Sequence, residues 1–435
     1  MTAATATPPN EAGDGTNGFP NGQKQHPPGY SIPEKYKSRL EEVEVLDNRS
    51  DDEILASLKE HVPVTSEKNV WGFWNTGVDS IPGWSKRNVI GWIRMLGPSW
   101  TVRILDSNPS SPNYVLNFIP ASMLPEAFVN GKMHGIFVGP HSADFVRAPA
   151  VYLHGGISLD VGTYLTRHFD RWCWDRLTDE HSEVEVVIML FWGSQMANFF
   201  VAARKGNKWV KRWHDLLMEV WKGHTTHTGL IQHPLMSFTQ GITFEESRAA
   251  GCNWEFALPA AEVAEYITQV FCWIRMTKLE GNGHPDDFDY TSYWQKHILA
   301  FDIHTEGQAH DSLYDWHDAG QKHFDLLTIP VHPPQPDNPK WREAHDLVWH
   351  LTSETIMQKV SKGTGILNER TLGTLWPENE GADAKENTFA ELLRYGALHF
   401  RQTRGTEDLK VRFCEKPKAT VKRGLLEHPP EGELI

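Results

Sequence analysis

This 435-residue sequence predicts an α/β fold with helices packed on a mainly parallel central sheet. Three observations support it. From Asn69 onward, short apolar runs of strand length alternate with amphipathic stretches of helical period. Several of those runs end on a turn or a carboxylate, as strands do where they leave an open sheet. The composition, 40% hydrophobic and 11% aromatic, supplies a sizeable core.

Residues 1 to about 30 are rich in Pro, Gly, Asn and Thr, which predicts a disordered tail. Residues 1–65 are read as a largely disordered lead with one short amphipathic stretch, Asp51 to Leu58. The domain, residues 66–365, opens with Asn69-Val-Trp-Gly-Phe-Trp74, a buried strand running into Asn75-Thr-Gly77. Trp84 to Leu96 has helical spacing and stops at Gly97-Pro98. Thr101 to Asp106 is a strand ending on an acid. Ser142 is the expected N-cap of a helix through Leu153, closed by Gly155-Gly156. Ile157-Ser-Leu-Asp160 is another strand ending on an acid, and Val184 to Leu190 a buried one. Asn207 caps an amphipathic helix with Trp209, Trp213, Leu216, Val220 and Trp221 on one side. Beyond residue 365 the pattern weakens. Residues 366–435 read as a helical and irregular C-terminal extension, with a mildly basic run from Arg401 to Arg423 and a mobile tail from Glu427.

Charge and composition exclude several classes. Lys and Arg number 42 against 56 Asp and Glu, a formal charge of −14, which disfavours a nucleic-acid binder. The longest apolar run, Val186 to Gly193, is far short of the ~20 residues of a membrane helix. The four cysteines form no C-x-x-C pair, and no apolar h-region stands near the start, so a cytoplasmic, reducing location is expected.

The segment richest in chemistry is His141 to Asp160. Asp144 and Arg147 are three apart and share a helix face. After two glycines a strand delivers Asp160 to its carboxyl end, the edge where ligands bind in open α/β sheets. A carboxylate there suits a hard divalent cation, and a cation beside an arginine suits a diphosphate. On spacing alone, a helix salt bridge and a turn aspartate explain the same residues.

Here the chain resembles the capsular-polysaccharide-synthesis family of glycosyltransferases, related to D-x-D sugar transferases that include fungal mannosyltransferases. The family's aromatic opening appears as Trp71-Gly-Phe-Trp74, Gly77 and Pro82, and its S-W and L-D pairs as Ser99-Trp100 and Leu105-Asp106. Its central signature appears as Ser142, Asp144, Arg147, Gly155-Gly156 and Asp160, with one residue inserted between Ser142 and Asp144. Asn198-Phe-Phe-Val-Ala-Ala203 and His233-Pro234 follow in order, so the resemblance covers roughly residues 69 to 355.

The resemblance implies a GT-A-like nucleotide-sugar-binding sandwich that moves a hexose from a UDP- or GDP-sugar to a glycan, lipid-linked or small-molecule hydroxyl, with retention. It implies Mn²⁺ or Mg²⁺ held by the acidic motif. Asp160 and Asp144 become the catalytic acids, and Asp160 also the metal ligand. Arg147, Trp74, Gly155, Gly156 and Asn198 become donor- and phosphate-binding residues. A family histidine that completes metal or phosphate binding maps to either His350 or His345. One departure stands out: the run reads Asp160-Val-Gly162, so the second motif acid is a glycine. A degenerate transferase that only binds sugar nucleotide or glycan is the alternative.

Other features are read as structural. His224, His227 and His233 lack the H-E-x-x-H pattern and are taken as loop histidines. Asp286, Asp287 and Asp289 are taken as a solvated loop, and the tryptophans, apart from Trp74, as core. The basic run is read as a solvated tail, with peripheral contact with an anionic membrane as the alternative.

Overall fold

The computed structural model describes residues 29–192, 195–281, 288–332 and 338–430. The chain divides into two units, residues 1–31 and 32–435; of the first, only residues 29–31 are described, and they carry no helix or strand.

The larger unit is built on a seven-stranded sheet. Across it the order is Val411–Arg412, Ile298–Asp302, Val186–Leu190, Met196–Ala203, Gly156–Leu159, Asn69–Phe73 and Thr101–Leu105. The sheet is mixed rather than mainly parallel. Asn69–Phe73 pairs in parallel with both Thr101–Leu105 and Gly156–Leu159, and Val186–Leu190 does so with Ile298–Asp302. Met196–Ala203 runs antiparallel to both its neighbours, and the Val411–Arg412 edge is antiparallel too. The reversal is invisible to periodicity, because a strand buried on both faces is a continuous apolar run in either direction.

Alternate residues feed two cores. Val186, Ile188 and Leu190 point to one layer and Val187 and Met189 to the other. The first layer contains the helices Val138–His154, Lys208–Val220 and Thr268–Thr277; the second contains Gly83–Leu96. Asn207 caps the Lys208–Val220 helix by accepting from the Val210 N–H, and Trp209, Trp213, Leu216 and Val220 are buried beneath it.

Three boundaries differ from the sequence reading. The long helix begins at Val138, so Ser142 lies inside it and donates its hydroxyl to the Val138 carbonyl instead of capping. The lead beyond residue 31 is ordered: Asp51–Ser57 is a helix with a Ser50–Glu53 capping box, and Leu40–Glu42 pairs with Phe400–Gln402. The C-terminal segment is part of the fold, since it supplies that strand, the sheet-edge strand Val411–Arg412 and the helix Phe389–His399. Its basic run is not a solvated tail. Arg401 pairs with Glu41, Arg404 with Glu306 and Arg412 with Asp302. Among the described residues no helix is long and apolar enough to cross a membrane.

Candidate active site

Five strand ends converge on one edge of the sheet. Asn69–Phe73 and Gly156–Leu159 are parallel neighbours, so Trp74 and Asp160 leave the sheet on the same side. Val186–Leu190 and Ile298–Asp302 run the same way, and antiparallel Met196–Ala203 begins there, which adds Phe191 and Asn198. Four of these ends, all but that of Ile298–Asp302, line a cavity of about 680 Å³. The Val138–His154 helix contributes Asp144 and Arg147 to its lining, and the segment after residue 358 contributes Lys359, Ser361 and Lys362.

The charged groups form one connected network. Arg147 is 4% exposed. Its guanidinium donates to Asp144 Oδ1 (2.5 Å), Gln269 Oε1 (2.5 Å) and Asp160 Oδ1 (2.9 Å). Asn198 Nδ2 donates to Asp144 (3.1 Å) and Gln269 (2.9 Å), and Gln269 Nε2 donates to the Asp144 carbonyl (2.7 Å). Trp213 Nε1 in turn donates to the Gln269 carbonyl. The other oxygen of Asp160 accepts from Lys359 Nζ at 2.9 Å, and the same ammonium donates to Ser361 Oγ at 2.9 Å. Burial pushes the Asp160 carboxyl up, but Lys359 and Arg147 outweigh it and hold the group below the usual carboxylate range. Burial opposes the Arg147 charge; Asp160 and Asp144 prevail and raise its pKa.

Several lining residues carry buried polar atoms without a hydrogen-bond partner among the described residues: Arg147 Nε, Trp84 Nε1, Trp254 Nε1 and Gln308 Oε1. Buried polar atoms are ordinarily paired, so a concave surface holding four such atoms suits a polar ligand. Alongside lies an aromatic wall. Phe191 meets Trp254 edge-on with ring centroids 5.4 Å apart, Trp254 lies 6.0 Å from Phe256, and Phe256 5.0 Å from Phe244.

Of the residues singled out from sequence, Asp144, Arg147, Asp160, Asn198 and Trp74 all line the cavity. Gly155 and Gly156 do not. They form the turn at the opposite end of the Asp160 strand, both at positive φ, where a Cβ on Gly156 would fall 2.3 Å from the Asn69 carbonyl. His345 and His350 are also elsewhere. They lie on the Pro339–Glu354 helix, outside the cavity lining, and His345 stacks on Trp341. His227 packs against Phe137 and His141, and the His233 ring accepts from the Leu235 N–H, which accounts for both as structural histidines. Asp289 caps the Tyr290–Lys296 helix; Asp286 and Asp287 lie outside the described residues.

Gln269, Lys359 and Ser361 were not anticipated. Gln269 sits in an apolar helix with nothing local to mark it. The run Lys359-Val-Ser-Lys-Gly-Thr-Gly365, two lysines among small residues after a short strand, is a signal the sequence does offer.

The residues present do not fit the divalent cation that the acidic motif implies. Each Asp160 oxygen already faces a cationic side chain, position 162 offers no side-chain ligand and its carbonyl accepts from the Val360 N–H, and neither histidine lines the cavity. Among the described residues, the side-chain group spaced to hold a metal is Glu255, His317 and Glu369, a different and largely exposed set.

The family model described as capsular polysaccharide synthesis protein matches residues 31–243. The probable glycosyltransferase FCK3 of Fusarium pseudograminearum is 41% identical over 398 residues, spanning 92% of this chain and 99% of that protein. The glycosyltransferase afumC of Aspergillus fumigatus is 36% identical, spanning 87% and 96%. The O-glycosyltransferase braB of Annulohypoxylon truncatum is 33% identical, spanning 88% and 91%. A solved structure, the PaToxG glycosyltransferase, overlaps 52% of this chain and 92% of its own at 17% identity and a TM-score of 0.25, too slight to bear on the fold. Identity of this extent along nearly the whole chain makes the protein a member of the capsular-polysaccharide-synthesis family of glycosyltransferases.

Proposed function

We propose that this protein moves a hexose from a UDP- or GDP-sugar to a hydroxyl of an apolar small molecule, within a GT-A-type frame. The observation that carries the reading is one cavity in which the Asp144–Arg147–Asp160–Lys359 network meets the Phe191–Trp254–Phe256 wall. The charged part suits a diphosphate and a sugar. The aromatic part suits an apolar acceptor, because flat rings bury large area at little entropy cost. The relative named an O-glycosyltransferase supports a hydroxyl as the attacked group.

In the transfer, the acceptor oxygen bonds to the anomeric carbon. The bond from that carbon to the phosphate oxygen breaks, with its electron pair staying on the diphosphate. Attack on the face the diphosphate leaves lets the departing oxygen take the acceptor's proton and retains configuration. Arg147, a planar donor fixed on three side chains, needs no reorganisation as charge develops. Asp144, Gln269 and Asn198 position it, and Trp74, in the cavity lining, is the ring assigned to stacking on the base.

Nucleotide release from a panel of UDP- and GDP-sugars, with and without small aromatic or terpenoid alcohols, tests the reading. Release from one donor, accelerated by an apolar alcohol, is the expected outcome. Binding of a donor with no turnover under any condition would turn the assignment to a sugar-nucleotide-binding protein.

A further inference from the structure

The geometry points to Lys359 as a built-in cation that takes the place of a divalent metal, so that this chain transfers sugar without one; this rests on the transferase reading above. Asp160 and position 162 correspond to the two acids that would hold a metal against the donor diphosphate. In this chain another segment occupies that place. Thr163–Leu165 pairs antiparallel with Met357–Lys359, which sets Lys359 opposite Thr163 and directs the Val360 N–H onto the Gly162 carbonyl at 3.0 Å. Ser361 then lies so close to Gly162 that a Cβ at 162 would fall 1.9 Å from its Oγ. A second motif acid is therefore excluded by the same segment that delivers the lysine.

The ammonium is held as a ligand-facing group. Its side chain is 12% exposed and lines the cavity, with two of its three N–H donors directed to Asp160 and Ser361. The third N–H has no hydrogen-bond acceptor among the described residues, the Phe199 ring lying 6.0 Å from the ammonium, and we assign it to an oxygen of the donor diphosphate. Arg147 stands on the opposite oxygen of the same carboxylate, so Asp160 aligns two fixed cationic donors rather than one mobile ion. As the sugar–phosphate bond breaks and its electron pair moves onto the leaving diphosphate, Lys359 stabilises that charge by hydrogen bonding. It stays an ammonium throughout, and the proton balance is that of the transfer itself.

The test is nucleotide release by the full chain after dialysis against EDTA, compared with the same protein in Mn²⁺ and in Mg²⁺. Rates equal within about twofold are expected. Loss of release in EDTA with recovery in Mn²⁺ would overturn the role given to Lys359 while leaving the transferase reading intact. Silence in all three conditions, with no UDP or GDP binding by calorimetry, would overturn the transferase reading and the lysine's role with it.

Lys359→Ala should lower release in EDTA about 100-fold, the scale of a lost transition-state donor. Ethylammonium should restore part of that loss, a rescue that a purely structural lysine would not show. Lys359→Arg should keep more activity than Lys359→Met. Should the alanine variant fail to fold, the wild-type EDTA comparison together with Lys359→Arg against Lys359→Met, all read in EDTA, carries the test, and equal activity of the two variants would overturn the lysine's role.

Discussion

Ser361 occupies the space that any side chain at Gly162 would need: a Cβ at 162 would fall 1.9 Å from its Oγ and 2.8 Å from its Cβ. Gly162 is not among the positive-φ glycines, so space and not backbone conformation is what forbids a larger residue. Gly162→Ala should therefore destabilise the protein by about 1–3 kcal/mol, the usual cost of overpacking. Adding Ser361→Gly removes both clashing atoms and should recover most of the loss. Thermal denaturation of the single and double variants checks this; equal melting of Gly162→Ala and wild type would refute the steric account.

Arg147 binds two aspartates and a glutamine, of which Asp144 and Gln269 are buried and Asp160 is half-buried. Arg147→Ala leaves Asp144 buried opposite no guanidinium, which should cost about 3–5 kcal/mol by urea unfolding. Arg147→Lys keeps the charge but loses the fork, so it should retain most stability and still lose about tenfold or more in kcat.

Asp160→Asn keeps the shape of the site and removes the charge that aligns Arg147 and Lys359. Nucleotide release should fall at least about 100-fold with circular dichroism unchanged. A fully active variant would remove Asp160 from the reaction.

Asp383 is wholly buried between Arg87 and Arg394, each 2.5 Å away. Burial raises its pKa, but the two guanidinium groups outweigh that and set it below 3.8 in the folded chain. A carboxyl depressed in this way adds stability that is fully present above the unfolded value, and loses it as pH falls through the folded one. Asp383→Asn should thus be about 3–5 kcal/mol less stable than wild type at pH 7. The gap should narrow as pH falls from the ordinary aspartate value through the depressed folded one, where the wild-type carboxyl also becomes neutral. Urea titrations at pH 7, 5 and 3 would show whether the gap closes.

The aromatic wall carries its own prediction. Trp254→Ala removes the ring that touches both Phe191 and Phe256. It should raise the KM for an apolar acceptor about tenfold, as losing one or two methylenes' worth of contact does, and far more than it raises the KM for the donor. Equal effects on both substrates would remove the wall from acceptor binding.

What the sequence by itself determined is local. Apolar runs and caps placed the strands at Asn69, Thr101 and Ile157 and the Asn207-capped helix, because period and capping chemistry are written in neighbouring residues. Spacing put Asp144 and Arg147 on one helix face, and the strand after Gly155-Gly156 put Asp160 at its end. Tertiary structure decided the rest. Strand direction across Met196–Ala203 depends on partners that a buried run does not specify. The C-terminal residues looked like an appendage, yet Val411–Arg412 closes a sheet edge and Asp383 anchors two arginines from distant helices. Above all, the resemblance points to a second motif acid at position 162 and a histidine at 345 or 350 as the companions of Asp160. The fold instead brings Lys359, 199 residues away, onto that carboxylate through a strand pairing. No sequence period spans such a distance, so only the pairing of the two strands could join the residues.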